Sequence, residues 1–271
     1  MDEMLINGVP GRCIAPSDRG LHYGDGLFET IRVRDGSLPL WARHWRRLTD
    51  GCGRLGLEGV EEGVLREEAH RLAAGTARGI VKLIITRGSG GRGYRPPAEV
   101  KPTRIVATHV PPNHPASHWR QGVALRLCRT RLGRNPVLAG IKHLNRLEQV
   151  LARHEWDDPA IAEALMQDDR GRVVCGTMTN LFAVTGGRLV TPPVDECGVA
   201  GVMRALLLEW TGAQERALDL ADLAAAEELL LCNAVIGIWP VRAVERQEYP
   251  IGKITLGLME RLRQAGLSGE V

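Results

Sequence analysis

Lys142 is one of only four lysines, with Lys82, Lys101 and Lys253, in a chain that carries 35 Lys plus Arg. Arginine stays protonated, whereas a lysine taken out of water can shed its proton and become a nucleophilic amine. Such an amine condenses with an aldehyde and, once freed, serves as a general base. Lys142 stands just before "HLNRLEQVLAR", in which Leu144, Leu147 and Leu151 share a helical spacing. That apolar face is expected to lie behind the amine and keep water from it. Alone, a lysine ahead of a helix reads first as a solvated surface residue, so its company decides.

A second stretch with chemical capacity is "RGSGGRGYRPP", residues 87–97. Its glycines permit close backbone approach or positive φ, and Arg87, Arg92 and Arg95 have the planar fork that binds carboxylates. An RNA-binding segment rich in Arg, Gly and Tyr is the rival reading. The stretch occurs once, between two strand patterns and with little net charge around it, which favours the small-molecule reading. The six cysteines stand singly, with no C-x-x-C pair, so neither a zinc site nor a disulfide framework is expected. Most of them read as buried thiols acting as small apolar residues.

These residues need a scaffold. Strands are expected at "MLING" and "FETIRVRDGSLPL", the latter turning at Asp35-Gly36. A helix follows over "LWARHWRRLTDGCGRLGL", with Trp41, His44 or Trp45, Leu48, Cys52 and Leu55 on a 3–4 spacing. "EEGVLREEAHRLAAG" reads as a second helix, and "GIVKLIITRG" and "TRIVATHV" as strands. Further strands are expected at "VALRLCRTRL", "EALMQDD", "RVVCG", "TNLFAVTGGRLVTPP" and "ELLLCNAV", with helices from near His143, over 199–210 and at "ITLGLMERLRQAG". Pro-rich "PPNHPASHWRQG" looks like an interdomain linker. Strands and helices without strict alternation imply an α+β chain rather than a doubly wound sheet. The expected division is a smaller domain over 1–113, a linker over 114–121 and a larger domain over 122–271.

The whole chain sets outer bounds. Its 271 residues, 44% hydrophobic and 25% charged, suit a globular protein of one large or two modest domains. A formal charge of +3 is too small to argue for nucleic acid or a membrane surface. The acidic start, "MDEMLINGVPGRC", has no apolar signal core, and no long uncharged apolar run is present, so a cytoplasmic protein is expected.

Several segments then add up to a resemblance. "DRGLHYGDGLFET", "HWRRL", "TRGSGGRGY", "RLGRNPVLAGIKHLNRLEQVLAR", "NLF", "AGVMR" and "CNAVIGIWPV" occur in that order. Together they resemble the fold-type IV pyridoxal-phosphate enzymes, D-amino-acid aminotransferase-like in fold. That family includes branched-chain and D-amino-acid aminotransferases and a lyase branch acting on 4-amino-4-deoxychorismate. "RGSGGRGY", "RLGRNPVLAGIKHLNRLEQVL" and "CNA" look like the lyase branch.

The resemblance implies pyridoxal 5'-phosphate as cofactor. It also implies a lyase that makes 4-aminobenzoate and pyruvate for folate biosynthesis, with an aminotransferase for D- or branched-chain amino acids as the alternative. Lys142 matches the lysine that carries the cofactor, and Arg47 the arginine that clamps its phosphate, whereas Arg46 reads as a solvated helix residue. Val202 and Met203 match positions that offer backbone N–H groups to the phosphate at a helix start. Met203 lacks the hydroxyl often found there. Ala234 matches a further phosphate-side backbone position.

Arg92 and Tyr94 match loop residues that grip substrate carboxylate at the neighbouring subunit's site, which implies a homodimer. Phe28 and Thr30 fall on the substrate side. Thr30, Tyr94 and water are alternatives for protonating the leaving group. Cys175 departs from the pattern: the family normally has Glu there, paired with the cofactor's ring nitrogen. A thiol, with an ordinary pKa near ~8.5, is mostly neutral at pH 7 and makes a weaker electron sink. An elimination driven by aromatisation tolerates that better than transamination, unless another acid such as Glu163 substitutes.

Overall fold

The structure, a computed structural model, describes residues 3–99 and 101–270. They divide into two compact units. The first runs to Pro112 and also includes Ile141–Asn145; the second comprises Asn113–Gly140 and the chain from Arg146 onward.

In the first unit the elements are β1 (Met4–Ile6), β2 (Val9–Pro10), α1 (Arg19–Tyr23), β3 (Gly26–Arg34), α2 (Trp41–Leu55), α3 (Glu62–Ala73), β4 (Arg78–Thr86) and β5 (Thr103–His109). The sheet order is β2-β1-β5-β4-β3, antiparallel throughout. Alternation sorts β3 into two faces. Leu27, Glu29, Ile31 and Val33 are buried, while Phe28, Thr30 and Arg32 are half-buried on the opposite face. Helix α2 packs on β3 and α3 on β4 and β5. The buried side of α2 is Trp41, His44, Leu48, Gly51 and Cys52, so His44, not Trp45, occupies the apolar stripe.

Strand β3 lies at the sheet edge, and the chain returns much later to cover it. Phe28 donates its N–H to the Lys142 carbonyl (3.0 Å) and Leu144 donates to the Gly26 carbonyl (3.0 Å). Residues 141–145 are therefore an extended strip docked on β3, not the start of a helix.

The second unit holds α4 (Ser117–Arg120), β6 (Val123–Leu132), α5 (Leu147–Arg153), β7 (Ile161–Asp168), β8 (Val173–Gly176), β9 (Asn180–Thr185), β10 (Arg188–Thr191), α6 (Val202–Thr211), β11 (Gln214–Glu215), α7 (Leu220–Ala224), β12 (Glu228–Asn233), β13 (Gly237–Val244), β14 (Gln247–Glu248) and α8 (Lys253–Gln264). Strands β9, β12, β13, β6, β7 and β8 pair in that order, and β8 returns to β9 through Cys175 and Asn180, closing a barrel. Its two parallel pairings, β13 with β6 and β6 with β7, join segments far apart in sequence. Leu165 enters a core with Trp119, Leu231 and Trp239, whereas its neighbours Ala164 and Met166 join Cys128, Trp156, Cys175 and Cys197. The Pro-rich stretch expected as a linker contains α4, whose Trp119 is buried and donates its indole N–H to the Ile236 carbonyl (2.9 Å). Among the described residues no helix is long and apolar enough to cross a membrane.

Candidate active site

Lys142 is half-buried, and its Nζ sits 4.3 Å from the centroid of the Phe28 ring. The ring closes one side of the amine to water and offers its negative face to the charged form. Lys82, which pairs across the sheet with Thr30, approaches the same ring at 5.6 Å. Phe28, Thr30, Lys82 and Lys142 are thereby gathered on one face of β3. The expected shelter from the helix does not exist: Leu147 is 76% and Leu151 58% exposed. A strip paired to β3, with Phe28 beneath the amine, takes its place.

The opposite face of β3 holds a buried charge network. Arg47 donates Nε to Glu29 Oε1 (2.7 Å) and Nη2 to Glu29 Oε2 (2.5 Å), and His44 Nδ1 lies 2.6 Å from Oε2. Burial pushes the Glu29 carboxyl up. The Arg47 charge and the His44 and Arg47 hydrogen bonds outweigh it and hold the group at about 2. His44 is pulled below the usual imidazole range by burial, only partly offset by Glu29, with the Arg47 and Lys142 charges also disfavouring its cation. It is therefore a neutral ring donating Nδ1–H to an anionic Glu29. The fork thus clamped is that of Arg47, the residue matched to phosphate binding. Arg46 is exposed.

The 87–97 stretch divides its arginines. Arg87 is buried and faces inward, donating to Asp25 Oδ2 (2.8 Å) and to the Gly56 and Leu55 carbonyls (2.8 and 2.7 Å), which closes the end of α2. It is not available to a substrate carboxylate. Arg92, Arg95 and Tyr94 are exposed, Tyr94 at 84%.

In the second unit, Val202 and Met203 open α6 behind Gly201, which has no side chain to cap the helix. The first turn of α6 therefore has no side-chain cap for its N–H groups. Gly201 is tightly seated, because a Cβ there would lie 2.0 Å from Asn180 Oδ1. Ala234 lies between β12 and β13 beside Asn233, whose Oδ1 accepts from Val235 and Ile236 N–H (2.8 and 2.9 Å).

Cys175 is buried next to Cys128 and Cys197. Burial drives its thiol far above the ordinary range, and Cys197 and Glu163 push the same way. The group is a neutral thiol. Glu163 does not replace the missing acid. Its carboxylate accepts from Thr177 N–H and Oγ1 (3.1 and 2.5 Å), Met178 N–H (3.0 Å), Thr179 Oγ1 (3.2 Å) and Ala164 N–H (2.9 Å). Both oxygens are occupied in shaping the turn between β8 and β9.

Residues 26–244 match the amino-transferase class IV family. The chain belongs to that family. Among class IV relatives, it is 36% identical to the aminodeoxychorismate lyase of Vibrio harveyi over 95% of this chain and 98% of that protein. It is 25% identical to the D-alanine aminotransferase of Bacillus licheniformis over 94% and 90% of the two chains. Among solved class IV structures, the 4-amino-4-deoxychorismate lyase of Pseudomonas aeruginosa superposes with a TM-score of 0.93 at 49% identity, covering 96% of this chain and 98% of that one. The branched-chain aminotransferase of Escherichia coli shares the fold, with a TM-score of 0.83 at 22% identity over 100% and 96% of the chains.

Within the first unit, a half-sheltered amine and a guanidinium oriented by a buried carboxylate are groups of the kind that suit an aldehyde and a phosphate; in the second unit, taken by itself, the start of α6 has no side-chain cap. Cys175 does not fit as an ionic partner for a ring nitrogen. Glu29 and His44, which hold the Arg47 fork, escaped the reading of the sequence. A glutamate at the inward parity of β3, and a histidine on the α2 stripe, were the available signals.

Proposed function

We propose that this protein is a pyridoxal-phosphate-dependent lyase that converts 4-amino-4-deoxychorismate to 4-aminobenzoate and pyruvate in folate biosynthesis, as a cytoplasmic homodimer. The observation that carries the reading is Lys142, a half-buried amine seated on the Phe28 ring at 4.3 Å in a chain similar over nearly its whole length to lyases acting on this substrate. Pyridoxal phosphate, when bound, supplies an aldehyde for attachment and a conjugated ring that accepts electrons.

In this reading Arg47 and the N–H groups of Val202, Met203 and Ala234 would hold the phosphate, and Lys142 would be the point of attachment. Once free, the Lys142 amine takes the proton from the substrate carbon that bears nitrogen. That electron pair becomes part of the ring as the bond to the enolpyruvyl oxygen breaks. The oxygen departs with the electron pair of that broken bond, enolpyruvate is protonated to pyruvate, and the carbocycle becomes aromatic. Phe28 shields the amine from water. Arg92 and Tyr94 take the substrate carboxylates, and Thr30, Tyr94 or water delivers the proton to the leaving group. A neutral Cys175 suits this elimination, whose driving force lies in the product. The apolar face of α5 (Leu147, Val150 and Leu151, all exposed) supports a second copy as partner, since such a face is costly to leave in water.

The test combines borohydride trapping, peptide mass mapping and an assay for pyruvate. The holoprotein should gain the reduced cofactor on Lys142 and release pyruvate from aminodeoxychorismate. Lys142→Arg, which keeps the charge, should lose the adduct and about 10⁴-fold or more of turnover. Keto-acid exchange without pyruvate release would instead assign an aminotransferase.

A further inference from the structure

Resting on the lyase reading, we propose that Arg19 is a positioning residue that presets the 88–97 loop, so that Tyr94 and Arg92 meet the substrate carboxylates without first having to be ordered. The loop has little with which to order itself. It is rich in glycine, has no regular secondary structure at its apex, and exposes Arg92 and Tyr94. Its apex is nevertheless held from below by one buried side chain. Arg19 donates Nη1 to the Gly93 carbonyl (3.1 Å) and Nη2 to the Tyr94 carbonyl (2.8 Å). Its own backbone N–H binds the Gly88 carbonyl at the loop's base (2.8 Å).

The guanidinium is itself fixed. Arg19 Nε donates to Asp25 Oδ2 (2.8 Å), the oxygen that also receives Arg87 Nε (2.8 Å). Arg87 in turn is tied to the end of α2. Burial pushes Asp25 up, but the hydrogen bonds and charges of Arg87 and Arg19 prevail and keep its carboxyl below the usual range. One anion thus braces two arginines, the first locked to a helix and the second committing its fork to the loop. The three N–H donors of a lysine radiate from one nitrogen and could not span these separate acceptors as the planar guanidinium does.

Two details show that loop and arginine fit each other. A Cβ at Gly90 would lie 2.8 Å from Arg19 Cδ, so glycine lets the loop settle onto the side chain. Tyr94 packs edge-on against Tyr23 with centroids 5.4 Å apart, and the Arg19 guanidinium lies 4.8 Å over the Tyr23 ring. The arginine therefore sets both the backbone of Tyr94 and the ring that orients its side chain. An ordered loop loses less entropy on binding, and the effect falls on substrate affinity.

Arg19→Met and Gly90→Ala holoenzymes test this by steady-state kinetics and amide hydrogen exchange. Both should raise KM for aminodeoxychorismate by about 10-fold or more while kcat stays within about threefold, with cofactor attachment to Lys142 unchanged. Exchange over 89–96 should quicken about 10-fold or more, and Arg19→Lys should recover part of the KM. A KM within about twofold of the parent, or unaltered loop exchange, overturns the proposal; if Arg19→Met fails to fold, Gly90→Ala alone decides between these outcomes. Absence of lyase turnover in the unsubstituted enzyme would sink the functional reading instead, and hydrogen exchange would still judge the clamp.

Discussion

Glu29 and Glu163 are the same residue type, each on a strand and each only 1% exposed, yet they differ in charge behaviour. Glu29 is held at about 2 although burial pushes it up, because the Arg47 charge faces it directly. Glu163 accepts more hydrogen bonds, but all come from hydroxyls and backbone N–H groups, and burial leaves its pKa raised. Burial alone does not decide the state of a carboxyl; the formal charge of its neighbours does. Glu29 works as a counter-ion that orients a guanidinium, whereas Glu163 works as a hub that shapes a turn.

Glu29→Gln should break this contrast most severely. It leaves the fork of Arg47 without an anion and should cost about 3 kcal/mol or more in urea-unfolding experiments, with weaker retention of the cofactor phosphate. Glu163→Gln preserves shape but turns one acceptor into a donor towards the N–H and hydroxyl groups of the turn. A loss of about 1–2 kcal/mol is expected, with Arg47 unaffected.

The pH dependence should separate the two with opposite signs. The Glu29 pKa is depressed on folding, so its stabilisation is present above the ordinary carboxyl pKa of 4.5 and disappears as pH falls towards about 2. The gap between parent and Glu29→Gln should therefore narrow in acid. The Glu163 pKa is raised, so its contribution is complete below 4.5 and declines as pH rises through the folded value. The gap between parent and Glu163→Gln should narrow on the alkaline side. Parallel curves for the two variants would refute the distinction. Thr177→Val, which removes only the hydroxyl donor at 2.5 Å, should cost about 1 kcal/mol and raise Glu163 further.

Much of this architecture was legible because its patterns are local. The 3–4 spacing of Trp41, His44, Leu48 and Cys52 marks the buried side of α2, and the run from Gly79 to Thr86 marks β4. The barrel was not legible: the pairing of Val123 with Val241 joins segments more than a hundred residues apart, and neither announces its partner. The setting of Lys142 was also hidden. Residues 141–145 are too few to show a period, and the leucines after them suggested shelter, although Leu147 and Leu151 face outward. Arg19 stood in plain view in "DRGLHYGDG", but a loop carbonyl has no side chain by which a sequence could reveal it as the arginine's target.

The strip Ile141–Asn145 has a consequence for how the polypeptide is made. The chain leaves the first unit after Pro112, comes back for these five residues, and departs again at Arg146. A ribosome that has finished the first sheet has therefore released it with one border of β3 bare over Gly26–Phe28. That border closes only when Lys142 itself has been synthesised and delivered, so the same event that completes the sheet also brings in the Lys142 side chain. A fragment ending at Pro112 would be both chemically inert and prone to stick to its own kind.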